Sequence, residues 1–276
     1  CSKKSENLKV IPKDAIAVVS FDLQSLYKKA DVEELQKLKS FQKIKEALNN
    51  DNNKMGKIFS EILNDPKASG IDFKKNAYLF AFNNKKYGGD SRQPHIGITA
   101  VLSDDNKFKD LLNRVSEATY MELDIKKDGA LNIVHLNNES YLSWDDNKML
   151  FIAGEDYRSM EGESVLKKLY NQDKSEQITD VKGFSDFLNG QKDINLWINL
   201  GGFVQDDSIF LNGMVASLYR GLFNMQKDSY LYGFIDFGKD DIKLTTYSIY
   251  NEETAKLLKK YDLYDISFDK DILKNF

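Results

Sequence analysis

One order of elements, strand, helix, strand, strand, helix, can be read twice along this chain, and that repetition restricts the fold more than any single motif. Lys13-Asp14-Ala15-Ile16-Ala17-Val18-Val19 aligns with Lys192-Asp193-Ile194-Asn195-Leu196-Trp197-Ile198 at a shift of 179 residues. Asn76-Ala77-Tyr78-Leu79-Phe80-Ala81-Phe82 aligns with Asp228-Ser229-Tyr230-Leu231-Tyr232-Gly233-Phe234 at a shift of 152, the 27-residue difference being extra helix in the first half. Ile96, Ile98, Thr99, Leu111 and Leu112 then fall on Ile242, Leu244, Thr245, Leu257 and Leu258 at a shift of 146.

The expected elements follow from periodicity. Asp14 to Asp22 is an almost wholly apolar strand, so both of its faces should be covered. Val32, Leu35, Leu38, Phe41, Ile44 and Leu48 form a helical stripe, as do Met55, Ile58, Phe59, Ile62 and Leu63. Beyond the breaks at Asp65-Pro66 and Ser69-Gly70, Tyr78–Phe82 and Ile96–Val101 read as a hairpin. Ser103-Asp104-Asp105 supplies an N-cap for a helix carrying Phe108, Leu111, Leu112 and Val115, with short strands near 131–136, 140–144 and 148–153 after it. The expected class is α+β: a tandem repeat of two ferredoxin-like β-α-β-β-α-β units, each an antiparallel sheet backed by helices. Residues 1–12 would be a lipidated N-terminal tether, 13–157 the first repeat and 158–276 the second repeat with a helical connector.

Charge narrows the partners. With 39 basic against 43 acidic side chains the net charge is −4. Arg92, Arg114, Arg158 and Arg220 are the only arginines, a poor basis for gripping a phosphate backbone, so no nucleic-acid partner is expected. No run approaches the roughly 18 apolar residues of a membrane-spanning helix. The single cysteine, Cys1, rules out an internal disulfide, which leaves stability to the core. That cysteine stands at the start of the sequence, before the polar stretch Ser2-Lys3-Lys4-Ser5-Glu6-Asn7. Such a terminus is similar to that of a processed bacterial lipoprotein, with Cys1 as the lipid attachment site.

Together with that terminus, Val10-Ile11-Pro12-Lys13-Asp14-Ala15 leading into Val18-Val19-Ser20-Phe21-Asp22, and then Leu38-Lys39-Ser40-Phe41, resembles a Bacteroidetes lipoprotein family catalogued as domain of unknown function 4836. The resemblance rests on about the first fifty residues. It implies an envelope lipoprotein of a gut-dwelling Gram-negative bacterium, without assigned activity and without functional residues to carry over. It also implies a longer chain, so the second repeat is read as cut short at its C-terminus. The resemblance further implies that surface display goes with acidic residues just after the lipidated cysteine; Lys3 and Lys4 stand there instead, so the periplasmic face of the outer membrane is expected over the cell surface.

Catalytic constellations are sparse. His95 and His135 stand forty residues apart without a close metal-ligand companion, and Asp262, Asp265, Asp269 and Asp271 lack the order of a calcium loop, so no metal or cofactor is expected. The Ser-x-x-Lys spacing occurs at Ser25/Lys28, Ser40/Lys43, Ser164/Lys167 and Ser267/Lys270, as chance would give in a lysine-rich chain. Adjacent acids such as Asp104-Asp105, Asp145-Asp146 and Asp206-Asp207 point apart and read as turns or caps.

Aromatic residues are the stronger lead. Tyr78, Phe80 and Phe82, and Tyr230, Tyr232 and Phe234, recur at period two, so one face of each strand is aromatic. That face either joins the core or meets solvent and stacks on a ligand. Tyr78, Tyr230, Tyr232 and Trp144 are the candidate ligand-facing residues, with Trp144 placed at the surface because the turn Asp145-Asp146-Asn147 follows it. The expectation is a lipid-anchored envelope protein with a non-catalytic binding or structural role. The membrane is its partner through the N-terminal lipid, and a second envelope protein or a glycan is the other. Glycan binding or glycan processing is the alternative.

Overall fold

The described residues form ten strands, several of them built on alternating apolar residues: β1 (Ala17–Phe21), β2 (Ala77–Phe82), β3 (His95–Val101), β4 (Ile125–Asp128), β5 (Leu131–Asn137), β6 (Ser140–Trp144), β7 (Lys148–Ala153), β8 (Ile194–Asn199), β9 (Tyr230–Phe237) and β10 (Ile242–Ile249). They come from a computed structural model that describes residues 5–30, 54–83, 94–137, 139–154, 161–202 and 226–261. The helices in these residues are α1 (Leu23–Lys29), α2 (Lys54–Asn64), α3 (Asp105–Thr119), α4 (Glu161–Tyr170), α5 (Phe184–Asn189) and α6 (Glu252–Lys260). Side-chain caps start three of them. Asp22 accepts from the Ser25 amide at 2.8 Å, Asp104 from Lys107 at 3.0 Å and Asn251 from Thr254 at 2.8 Å.

All ten strands form one sheet in the order β10-β9-β8-β1-β2-β3-β7-β6-β5-β4, with every neighbouring pair antiparallel. The structure is thus α+β with a large antiparallel sheet backed by helices, but its strand order differs from a tandem of ferredoxin-like sheets. A ferredoxin-like unit sets its third strand between its first two. Here β1 lies directly beside β2, and both halves share a single sheet through the β1–β8 pair. Both topologies open with strand, helix, strand, strand, helix, so that order alone does not separate them.

The registers nevertheless repeat. Val18 pairs with Trp197 across β1 and β8, and the shift of 179 carries Val18 onto that same Trp197, so the junction is symmetric about this pair. Val18 pairs with Phe80, and Trp197 with Tyr232, in keeping with the shift of 152. Phe80 pairs with Gly97 and Tyr232 with Tyr247, so the third strands correspond at a shift of 150 rather than 146. A slip of four residues preserves the two-residue alternation, and the hydrophobic pattern therefore does not register it.

One row of side chains, Tyr247, Tyr232, Trp197, Val18, Phe80, Gly97, Ile152, Tyr141 and His135, crosses the sheet on a single face. Leu8, Val10, Ile11, Val165, Leu166, Phe184 and Phe187 close over that face in the main core. Gly97 is demanded here, because a Cβ on it would lie 2.2 Å from the Phe80 ring. The opposite face is covered at its β5–β7 side by α3, whose Phe108 packs edge-on against Trp144 with ring centroids 5.8 Å apart. Within the expected tether, residues 6–10 form a 3₁₀ turn, and Leu8, Val10 and Ile11 are core residues. Their apolar signal is too short to show as an element in the sequence. The expected boundary between residues 157 and 158 lies outside the described residues.

Candidate functional site

Four segments meet at one end of the β8–β9 pair around an open cleft of about 340 Å³. Lys13 and Asp14 enter just after Pro12 bridges to Gln177, and Asp180, Val181 and Lys182 arrive from the 3₁₀ turn Ile178–Asp180. Asn199 ends β8 and folds the chain back, accepting from the Gly202 amide at its carbonyl (3.0 Å) and at Oδ1 (3.1 Å). Lys227 and Asp228 complete the lining by leading into β9, with Asp228 in the left-handed region at φ 58°.

Tyr230 is the aromatic wall of this cleft. Its ring stacks on the buried Trp197 at 4.9 Å, which fixes its plane. Burial, followed by the negative charge of Asp228, raises its hydroxyl above the usual phenol range, so the group stays protonated and serves as a hydrogen-bond donor. Around it stand three lysines and three aspartates. Lys13 is held by Glu176 at 2.9 Å. Such a lining offers donors, acceptors and a ring wall together, which suits a polar, many-hydroxyl ligand better than a purely anionic or apolar one.

The other aromatic candidates do not gather here. Tyr78 is buried in the core, its hydroxyl beside Gln191 and Ser20, and burial raises its pKa. Tyr232 is packed between Trp197 and Tyr247, with centroids at 5.7 and 5.1 Å. Trp144 is 1% exposed rather than a surface residue: the turn after it is at the surface, but α3 covers the strand before it. Cys1 lies outside the described residues, as do Asp262, Asp265, Asp269 and Asp271.

Of the serine-lysine pairs, Ser25 and Lys167 make structural contacts with carboxylates. Ser25 Oγ donates to Asp193 Oδ1 at 2.5 Å, and Lys29 Nζ and the Phe237 amide donate to Oδ2 at 2.7 and 2.6 Å. Burial pushes the Asp193 carboxyl up, but these bonds outweigh it and hold the group below the usual carboxylate range. Lys167 is held by Asp128 and Glu163, both at 2.7 Å. His135 stacks on Tyr141 at 4.5 Å, His95 is buried against Phe82, and no metal-ligating cluster occurs among the described residues.

Apart from Tyr230, the cleft was missed in the sequence. Its charged residues are single surface positions with no common spacing, and the adjacent Gly201-Gly202 was the one local signal available.

Residues 7–270 match the family described as Domain of unknown function (DUF4836). The chain belongs to that family. No curated protein matches it. Among solved structures it is similar to crystal form III of TP0453 at 12% identity and a TM-score of 0.46, covering 96% of this chain and 90% of that one. Form I of TP0453 gives 12% identity and a TM-score of 0.43 over 92% of this chain and 84% of that one.

Proposed function

We propose that this chain is a lipid-anchored protein of a Bacteroidetes envelope, on the periplasmic face of the outer membrane, and that it acts by binding rather than by catalysis. The cleft at Tyr230 is its binding site, and a saccharide is the ligand. The carrying observation is the joint lining: a ring fixed by Trp197 beside lysine, aspartate and asparagine side chains, the combination that stacks on a sugar face while bonding its hydroxyls. The repeated registers support reading the two halves as a duplicated unit within this binding scaffold. The buried Leu8 bears on the anchor: it ties the fold to a point seven residues from Cys1, so a tether could reach at most about 25 Å. The cleft would then work close to the bilayer.

The test is thermal melting of the protein against envelope and dietary saccharides at millimolar concentration, with Tyr230→Ala in parallel. A ligand at 100 times its Kd adds about 2.7 kcal/mol. That should raise the melting point by about 5 to 10 °C in wild type and much less in the variant. Silence in the wild type across the panel overturns the saccharide reading. For the anchor, Cys1→Ser should move the protein from the membrane to the soluble fraction, and unchanged fractionation with no lipid mass on Cys1 overturns it.

A further inference from the structure

The sheet has two edges, and they are built differently. β4 is four residues long and carries Lys126, Lys127 and Asp128, which makes it short and charged, as protected edges are. β10 is eight residues long, Ile242-Lys243-Leu244-Thr245-Thr246-Tyr247-Ser248-Ile249, with no proline or glycine and Lys243 as its sole charge. Its Ile242 and Leu244 are each 68% exposed. Among the described residues β10 pairs with β9 alone.

The repeated register shows what such an edge accommodates. β3 occupies in the first half the place that β10 has in the second, and β3 is paired on its outer side by the antiparallel strand β7. The Leu102 amide donates to Asn147 on the β7 side, so by alternation Ile96 and Ile98 turn their backbone groups toward β7. Their equivalents at the structural shift of 150 are Thr246 and Ser248. In β10 the hairpin closes with the Gly238 amide donating to Asp241, so the same alternation turns the amides and carbonyls of Ile242, Leu244, Thr246 and Ser248 outward, to the side where β10 meets no strand among the described residues.

We infer that the open edge of β10 pairs antiparallel with β10 of a second copy of this chain, joining two sheets across a two-fold axis. A two-fold axis perpendicular to the strand makes the pair antiparallel. The strand is also self-complementary. Centred on Thr246, the pairing sets Leu244 opposite Ser248, Ile242 opposite Tyr250 and Lys243 opposite Ile249, so no like charges meet. Ile242, Leu244 and Tyr250 lie on one face by alternation, and the axis brings the two exposed sets together. The same symmetry already joins β1 to β8 inside the chain, about Val18 and Trp197.

The experiment is sedimentation equilibrium of the full chain from low micromolar to about 1 mM, the range of weak association. The expected result is a mass that doubles with concentration. Thr246→Pro removes an outward amide while sparing the bonds to β9, and Leu244→Lys charges the exposed face; each should hold the mass at one chain with the circular dichroism unchanged. Leu244 is exposed, so that variant serves if the proline variant fails to fold. A wild-type mass that stays at one chain throughout overturns the inference, even if a synthetic strand with the sequence Lys148–Ala153 binds. A dimer that persists in Leu244→Lys overturns it as well.

Discussion

Asp193 offers the sharpest test of how the halves are joined. It sits just before β8, 2% exposed, and its carboxylate accepts, among the described residues, from Ser25 and Lys29 of α1 and from the amide of Phe237 at the end of β9. Asp193→Ala leaves the Ser25 hydroxyl and the Phe237 N–H without this acceptor, at about 1 to 3 kcal/mol for each group left unsatisfied in a buried setting. Lys29 is part exposed and keeps Asp236 at 2.8 Å, so its loss adds little. Both orphaned groups are only part-buried, which keeps the sum at about 2 to 4 kcal/mol, a fall in melting point of about 4 to 16 °C for a chain of this size. Asp193→Asn should cost about half as much, because its amide can turn its NH₂ toward Ser25 and its oxygen toward Lys29 and Phe237. The carboxyl's pKa is depressed in the folded state, so its stabilisation is present above the unfolded value of about 3.9 and lost as pH falls below it. The wild-type advantage over Asp193→Ala should therefore shrink below about pH 4. Urea melts of the three proteins at pH 7 and below pH 4 measure this. A cost under about 1 kcal/mol for Asp193→Ala at pH 7, or one that grows on acidification, would refute the reasoning.

Other substitutions read the packing. Trp197→Ala should destabilise by about 3 to 5 kcal/mol in chemical denaturation, since its indole lies among Phe184, Phe187, Tyr230 and Tyr232. Trp197→Phe should cost clearly less, because the indole N–H has no hydrogen-bond partner to lose among the described residues. Gly97→Ala should cost about 1 to 3 kcal/mol by driving a methyl into the Phe80 ring, and the added change Phe80→Leu should return part of that loss in a double-mutant cycle. Phe108→Ala should lower the melting point and weaken the near-ultraviolet circular dichroism of Trp144, with which it packs.

Much of the sheet was legible because its strands alternate cleanly. Tyr78–Phe82, Ile96–Val101 and the three strands before residue 154 all stand where the period-two pattern puts them, and Asp104 caps α3 as its position ahead of Phe108 indicated. Pairing was less legible. Val18 meets Trp197 through backbone bonds that any two apolar strands could make, and nothing local to either strand names the other. Trp144 shows the limit from another side: a turn marks the end of a strand, but burial is decided by the helix packed over it, here by Phe108. The cleft illustrates a third limit, since Lys13, Lys182 and Lys227 become neighbours only after the chain has folded.

The β1–β8 junction also governs when this molecule can fold. Its partners lie about 180 residues apart, so the centre of the sheet waits for the second half of the chain to be made. At synthesis rates of about 5 to 20 residues per second, β1 has no β8 to pair with for roughly 10 to 35 seconds. Until residue 199 is available an apolar strand has one side unoccupied, an edge open to wrong pairing.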